Sequence, residues 1–194
     1  CSCSSLNKLF LRFFLLRCNK PLNNDTNRYH ISSNYVNTPV MSESSSVFDM
    51  IGPVMIGPSS SHTAGVVRIG RVARKILKSI PKKAIITFYN SFARTYEGHG
   101  SNRAILGGLM DYHTDDERIK DALSLAEQVG LEFHFKSVGN ASTLHPNTVK
   151  LELTSAEGDS AVVIGESRGG GVIRMRSVNG FDTNFTASSH TLIV

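Results

Sequence analysis

The sequence predicts an α+β domain in which a mixed sheet carries helices on one face. Two features of residues 46–194 lead to this fold class. Helical and strand-like patterns alternate in the first part, and strand-like patterns alone fill the last part. The chain has 194 residues, of which 40% are hydrophobic, and this is enough apolar material for a core. One domain, or one domain and a piece of a second, is therefore expected.

The net charge of +5 does not come from the part of the chain that is expected to fold. Residues 1–40 hold five basic side chains and one acidic side chain, whereas residues 41–194 hold 16 basic and 15 acidic ones. This near balance argues against a nucleic-acid partner. A membrane partner is not expected either, because the apolar stretch Leu9–Leu16 contains Arg12 and is shorter than the roughly 20 residues that span a bilayer.

Residues 1–40 have three possible interpretations. They begin with Cys and not with Met, so they can be an upstream region that is not translated in the native protein. We favour this interpretation, with Met41 as the expected true start. Their basic, nearly acid-free beginning also fits a transit or signal segment. The Asn- and Ser-rich run over residues 19–37 is typical of a disordered segment.

Cysteine occurs only in this leading segment, at Cys1, Cys3 and Cys18. Residues 41–194 therefore supply no disulfide and no cysteine ligand for a metal or a cluster. Such a domain is expected in a reducing compartment, and we predict the cytoplasm.

The first helix is expected directly after Gly65. Apolar residues follow at helical spacing as far as Leu77. Basic side chains occupy the other face, and we interpret them as solvent-exposed: Arg68, Arg71, Arg74, Lys75 and Lys78. Before this helix, Val47–Ile56 is predicted to be extended.

Two further helices are expected before the final strands. A short one covers Ala104–Met110, and its Gly107-Gly108 pair indicates that another backbone packs there, since each glycine costs roughly 1 kcal/mol relative to alanine. Thr114–Glu117 has the pattern of a capping box that opens a helix running to about Val129.

Strands are predicted from runs of apolar and β-branched residues between turn residues. The predicted strands are Ala84–Tyr89, Leu131–Val138, Thr148–Thr154, Ala161–Glu166, Val172–Val178, Phe181–Ala187 and a further one that begins at His190. His134 is expected to be an exposed strand residue.

The segment Gly57–Gly65 is the strongest local signal of function. Ser59, Ser60, Ser61 and Thr63 offer hydroxyl groups just before a helix, whose free N–H groups favour a carboxylate or phosphate. His62 lies among these donors, where an imidazole can accept, donate or orient a proton. The segment lacks the Gly-Lys-Ser/Thr ending of a phosphate-binding P-loop. The simpler alternative is a serine N-cap with an incidental histidine.

Two other loops contain a histidine. Gly98–Arg103 places His99 between glycines that allow close approach of a ligand, and Arg103 offers a guanidinium for a carboxylate. His145 precedes Pro146 and Asn147 at the entrance to a strand. A plain turn explains either loop equally simply. Zinc bound by His62, His99 and His145 is less favoured, because no pair of histidines has the spacing of ligands on one helix face.

These motifs resemble the β subunit of iron–sulfur-dependent L-serine dehydratase. The resemblance rests on Ser46–Gly65, which reads SVFDMIGPVMIGPSSSHTAG, and on Gly98–Ala104, His145–Thr148, and Gly169–Gly171 followed by Asn179-Gly180. It covers residues 46–194.

The resemblance implies a lyase that converts L-serine to pyruvate and ammonia together with an α subunit. That subunit is expected to hold the [4Fe–4S] cluster, which fits the absence of cysteine from residues 41–194. By the same resemblance, the domain over residues 41–187 is similar to the allosteric substrate-binding domain of phosphoglycerate dehydrogenases. Residues 188–194 then look like the first strand of an ACT domain.

The resemblance also assigns site residues. His62 is the expected catalytic residue, and the expected substrate-binding residues are Ser59, Ser60, Ser61, Thr63, His99, Asn102, Arg103, His145 and Asn147. The family commonly has Asp at the position of Asn102, so no carboxylate acts there in this chain. The alternative function is a regulatory domain that binds serine or another small anion without catalysing a reaction.

Overall fold

The computed structural model describes residues 52–139 and 143–188. Predictions for residues 1–51 and for the strand beginning at His190 lie outside the described residues. The first described element is a single π-helical turn, Ser60–Ala64, which continues into the longest helix.

Helices and strands alternate in the first part of the domain, and four strands follow. The helices are α1 (Gly65–Leu77), α2 (Asn90–Thr95), α3 (Ser101–Leu109), a 3₁₀ turn over Glu117–Asp121 and α4 (Ala122–Gln128). The strands are β1 (Lys83–Tyr89), β2 (Glu132–Val138), β3 (Thr148–Thr154), β4 (Ser160–Gly169), β5 (Val172–Val178) and β6 (Phe181–Phe185).

All six strands form one mixed sheet in the order β2-β1-β3-β4-β5-β6. The β1–β2 pair is parallel, and the connection between these strands contains α2, α3 and α4. The other pairs are antiparallel. The predicted mixed α+β sheet is thus confirmed.

The helices that contact the sheet lie on the face formed by alternate, fully buried residues. Ile86 of β1, Leu151 of β3 and Val163 of β4 are in register across this face. Ile69 of α1 packs against the backbone of Gly165. From α2, the Phe92 ring lies 5.9 Å from the Phe88 ring. We call the opposite side of β3, β4 and β5 the open face.

Two glycines allow α1 and α3 to cross at very short distance. A Cβ added at Gly70 would lie 2.7 Å from the carbonyl oxygen of Ile105, and one at Gly108 would collide with the carbonyl oxygen of Val67. The predicted close backbone is therefore confirmed for Gly108. Gly107 instead faces the side chain of Ile119.

The prediction that a helix begins at a Thr114 capping box was wrong. Thr114 donates its hydroxyl hydrogen bond to the carbonyl of Val54, 2.8 Å away, so it does not cap a helix. Asp116 acts as the cap, accepting from the backbone N–H of Arg118 at 3.0 Å. A 3₁₀ turn over Glu117–Asp121 follows before α4 begins.

Two other helices differ from the prediction. The six-residue helix α2 was not predicted, since Asn90–Thr95 is too short to show a period. α3 begins at Ser101, three residues earlier than expected, so Asn102 and Arg103 belong to its first turn. The predicted strands over residues 148–154 and 172–178 match β3 and β5.

The basic face of α1 is not simply solvent-exposed. Arg68 is half-buried and donates to the carbonyl of Gly171 at 2.7 Å. Arg71 donates to Asp111 at 2.9 Å and lies 3.0 Å from His113 Nδ1. The prediction of a solvated stripe was wrong for these two arginines, which join α1 to loops. Within residues 52–139 and 143–188, no helix has the length and apolar character needed to cross a membrane.

Candidate functional site

The serine-rich loop forms the entrance to α1. Ser59 is extended and its hydroxyl accepts the N–H of His62 at 3.3 Å, as an N-cap residue does. The N–H of Gly65 donates to the carbonyl of Ser60, which closes the π-helical turn. Such turns are frequent at functional sites because they redirect side chains. Here the turn places two serine hydroxyls beside one imidazole.

The His62 imidazole is held at one of its two nitrogens. Nδ1 lies 3.0 Å from the hydroxyl of Ser61 and 3.3 Å from the hydroxyl of Ser59. These two hydroxyls are 3.2 Å apart. The other nitrogen, Nε2, is buried and has no hydrogen-bond partner in the described part of the chain. The ring is thus oriented through Nδ1, while Nε2 makes no hydrogen bond within the described residues.

Two aromatic neighbours surround this ring. The ring of Phe92 meets it edge to face, with the centroids 5.0 Å apart, and the ring of His99 lies at 4.7 Å. Burial lowers the pKa of His62, and the nearby charge of His99 lowers that pKa further. His62 is therefore neutral at pH 7, the form in which an imidazole can accept a proton.

The Gly98–Arg103 motif is brought directly to this loop. Ser101 is buried and donates its hydroxyl to the carbonyl of His62 at 2.8 Å. His99 Nδ1 lies 3.3 Å from the carbonyl of Thr95. The Asn102 side chain accepts the N–H of Arg103 at 2.8 Å, and Arg103 is exposed. His62 and His99 therefore belong to one site, with Asn102 and Arg103 at its margin.

The His145-Pro-Asn loop contacts this region through its backbone. The carbonyl of Pro146 accepts the N–H of Phe92 at 3.3 Å, and the carbonyl of Asn147 accepts the N–H of Ser167 at 3.0 Å. The His145 ring is influenced by other charged residues, those of β4 and β5. Burial lowers its pKa, the charges of Arg168 and Arg174 lower it further, and Glu166 raises it.

Two buried hydroxyls at the beginning of α1 have no hydrogen-bond partner in the described residues. They are Thr63 Oγ1, against Gly57, and Ser167 Oγ, against Gly65. Ser101 and Ser167 were not singled out in the sequence. Ser101 lies within the Gly98–Arg103 motif, so the sequence could have indicated its role. Ser167 is distant in the sequence and contacts Gly65 only because the fold brings β4 to the beginning of α1.

No metal centre is evident in the described residues. Among residues 52–139 and 143–188, no three His, Cys, Asp or Glu side chains are grouped so as to hold a metal ion. The contacts of His62 and His99 are to serine hydroxyls, an aromatic ring and a backbone carbonyl. The described residues therefore do not fit an iron–sulfur cluster.

The family of this chain follows from comparison with known proteins. The model of the family described as serine dehydratase beta chain matches residues 46–177, which include every site residue named above. The chain belongs to the serine dehydratase beta-chain family. The sequence resemblance is thereby confirmed.

Curated relatives agree with this family. The chain is 49% identical over 149 residues to the probable L-serine dehydratase, beta chain, of Bacillus subtilis (strain 168), and the match covers 77% of this chain and 67% of that protein. It is 38% identical over 149 residues to the L-serine dehydratase, beta chain, of Peptoniphilus asaccharolyticus, with the same coverage. It is also 34% identical over 90 residues to L-serine dehydratase 2 of Escherichia coli (strain K12), covering 43% of this chain and 19% of that protein.

Proposed function

We propose that this chain is the β subunit of an enzyme that deaminates L-serine to pyruvate and ammonia. In this proposal, the Ser59–Thr63 loop forms part of an active site shared with an α subunit. The single observation that carries the proposal is the His62 imidazole, which is oriented by two serine hydroxyls at Nδ1 and left without a partner at buried Nε2.

The reaction requires a proton to leave the α-carbon and the β-hydroxyl to leave as water. The resulting aminoacrylate is hydrolysed to pyruvate and ammonia. When His62 Nδ1 carries its proton toward a serine hydroxyl, Nε2 holds a free lone pair. The lowered pKa of His62 keeps this lone pair available at neutral pH. We assign the proton transfer in this reaction to Nε2 of His62.

The remaining motif residues suit binding of the amino acid. Hydroxyls and N–H groups at the beginning of a helix favour a carboxylate. Ser60 and Thr63 belong to this turn, and His99 lies against His62. Arg103, exposed in the first turn of α3, offers a guanidinium to the substrate carboxylate. The His145–Asn147 loop supports the site through its backbone, since the carbonyl of Pro146 accepts the N–H of Phe92, whose ring packs against His62.

A [4Fe–4S] cluster would supply a Lewis acid for departure of the hydroxyl group. The described residues of this chain offer no ligand set for it, and residues 41–194 contain no cysteine. We therefore propose that the α subunit holds the cluster. The match to the E. coli protein covers only 19% of that protein, which is consistent with a region of this kind working beside a larger second part.

The test is reconstitution of the chain with its α subunit under anaerobic conditions. We expect a brown, oxygen-sensitive complex that forms pyruvate from L-serine. His62→Ala in this complex should lower kcat by about 100-fold or more, the usual contribution of a general acid or base. The iron and sulfide content should remain that of the unsubstituted complex, because His62 is not a cluster ligand in this proposal.

The alternative function makes a different prediction for the same variant. If the domain only senses serine or another small anion, His62→Ala leaves kcat unchanged and alters the dependence of the rate on serine concentration. A chain that stays colourless and binds no cysteine-bearing subunit would contradict both the shared site and the dehydratase activity.

A further inference from the structure

His62 is held by hydrogen bonds of two kinds, from inside its own turn and from outside it. Inside the turn, the hydroxyls of Ser59 and Ser61 lie 3.3 Å and 3.0 Å from Nδ1. From outside, Ser101 donates its hydroxyl to the carbonyl of His62 at 2.8 Å, across 39 positions of the sequence. The inner bonds join near neighbours in one π-helical turn, so they orient the imidazole relative to that turn only. The position of the turn relative to the rest of the domain requires a contact such as that of Ser101.

Ser101 is itself firmly placed in the fold. It is fully buried, and its backbone N–H donates to the carbonyl of Tyr96 at 2.8 Å. It is the first residue of α3, and Gly100 before it has a φ of 70°, a left-handed conformation that glycine adopts easily. Farther along α3, Gly108 lies directly against the backbone of α1. The Ser101 hydroxyl therefore joins the turn before α1 to a helix that is already packed closely against α1.

Loss of this hydrogen bond would affect the imidazole through the backbone. A serine hydroxyl has a single donor, so its removal deprives the His62 carbonyl of this partner. The peptide between His62 and Thr63 can then tilt, and the imidazole moves with it. The rings of Phe92 and His99, at 5.0 Å and 4.7 Å, resist displacement without defining one direction as a hydrogen bond does. Because burial is the main cause that lowers the pKa of His62, a tilt toward solvent raises that pKa.

We propose that Ser101 is a positioning residue that holds the His62 ring where its Nε2 can transfer a proton. Misplacement of a reacting group by about 1 Å can lower a rate about 100-fold, so one well-directed hydrogen bond is enough to matter. Ser101 acts through His62 and does not itself touch the substrate. The effect on turnover rests on the proposed function of His62, whereas the effect on the position of the ring does not.

The first test follows the pKa of His62 by NMR titration of the full chain between about pH 5 and 8. The His62 signal is assigned by its absence from His62→Gln. In Ser101→Ala, we expect the pKa of His62 to rise toward its ordinary value of about 6.5, since the ring loses part of its burial. Ser101→Cys should change this pKa in the same direction, because a thiol is only a weak donor. This second variant fills the buried position more completely if Ser101→Ala does not fold.

The second test measures turnover of L-serine in the reconstituted complex. Ser101→Ala should lower kcat about tenfold or more and change KM by less than about threefold, because the ring that transfers the proton is displaced and the groups that bind serine are not. When Ser101→Ala is added to His62→Ala, we expect no further loss of kcat. A residue that acts only through an imidazole has no effect once that imidazole is absent.

The matched control is Ser155→Ala, which also removes a buried serine hydroxyl. Ser155 is 3% exposed, and its hydroxyl accepts the N–H of Asp159 at 3.1 Å in the turn between β3 and β4. The seven residues of β3 separate this turn from the His145–Asn147 loop. Both serine variants should lose thermal stability, because each loses one hydrogen bond at a buried residue. In Ser155→Ala, however, kcat and the pKa of His62 should stay as in the original chain.

Three results would overturn the proposal. The first is an unchanged pKa of His62 in the Ser101 variants, which would show that Ser101 does not place the ring. The second is an equal loss of kcat in Ser101→Ala and Ser155→Ala, which would reveal only a general effect of stability. The third is a further loss of kcat when Ser101→Ala is added to His62→Ala. A His62→Ala complex with unchanged kcat would contradict the proposed function instead, and the NMR titration would still decide whether Ser101 holds the ring.

Discussion

Two half-buried histidines on different sides of this domain have lowered pKa values for different reasons. At His62, burial is the main cause and the neighbouring His99 is the second. At His145, burial is again the main cause, but the next is the positive charge of Arg168. The first imidazole contacts serine hydroxyls and aromatic rings, whereas the pKa of the second is also lowered by the charges of Arg168 and Arg174.

The difference shows that two histidines with lowered pKa values can have different chemical roles. An imidazole that is oriented at one nitrogen and unpartnered at the other is suited to proton transfer. An imidazole near guanidinium groups is protonated less readily, because their positive charge opposes its own. The comparison therefore separates a histidine suited to proton transfer from a histidine whose protonation is opposed by nearby arginine charges.

Substituting the two histidines should give the largest difference between these regions. In the reconstituted complex, His62→Ala is expected to lower kcat by about 100-fold or more, whereas His145→Ala should lower it by less than about tenfold. The reason is that only His62 presents an unpartnered nitrogen in the serine-rich loop. Steady-state rates of pyruvate formation measure both values.

Thermal unfolding of the same two variants provides the control, since a variant that unfolds like the original has lost kcat for a local reason. An equal loss of kcat in both variants would show that the two regions form one catalytic site, and the comparison would then fail.

Much of the sheet could be predicted from the sequence, because strand patterns act locally. The boundaries of β3 and β5 match the predicted ones, and each of these strands alternates buried with more exposed residues. The helices between β1 and β2 were harder to predict. The Thr114 hydroxyl serves a distant carbonyl instead of a cap, and no local pattern reports a tertiary contact of this kind.

The candidate site was predictable where its residues are consecutive. The Ser59–Thr63 loop and the Gly98–Arg103 motif are recognisable as strings, and the fold brings His62 and His99 together. The contacts of Ser167 with the loop and of Glu166 with Arg168 and Arg176 were not predictable, because these residues come from strands whose register determines what they meet. The charged neighbours of a strand residue are known only after the strands are paired.

Tight packing distinguishes the loop at α1 from exposed loops elsewhere in the chain, and Gly65→Ala tests this difference. An added Cβ would collide with the Ser167 hydroxyl and lie 2.9 Å from Ser167 Cβ. We expect the free energy of unfolding to fall by about 1–3 kcal/mol, the usual cost of overpacking. Chemical denaturation measures this loss.

Gly139→Ala is the matched control, since a Cβ there would meet no atom of the described residues within 4 Å. Its free energy of unfolding should change by less than about 0.5 kcal/mol. Adding Ser167→Gly to Gly65→Ala should recover part of the lost stability by removing the colliding side chain. A Gly65→Ala variant as stable as the original would show that the loop can move away from β4.

The smallest expected effect is the dependence of stability on pH and salt. A histidine whose pKa is lower in the folded state binds protons more readily when unfolded, so stability falls as pH drops below about 6.5 and levels off below the folded pKa. Both His62→Gln and His145→Gln should therefore flatten the decline between about pH 6.5 and 5, a range in which carboxylates remain ionised.

Salt should distinguish the contributions of the two histidines to this decline. Arginine charges contribute to the lowered pKa of His145, and added salt screens them, so the flattening caused by His145→Gln should shrink at high ionic strength. The flattening caused by His62→Gln should shrink less, because burial, its main cause, is not screened by salt and only the smaller contribution of His99 is. Urea unfolding across this pH range at low and high salt measures both. An equal salt response for the two variants would mean that the charges of Arg168 and Arg174 do not set the pKa of His145, and that the two histidines do not differ in their electrostatics.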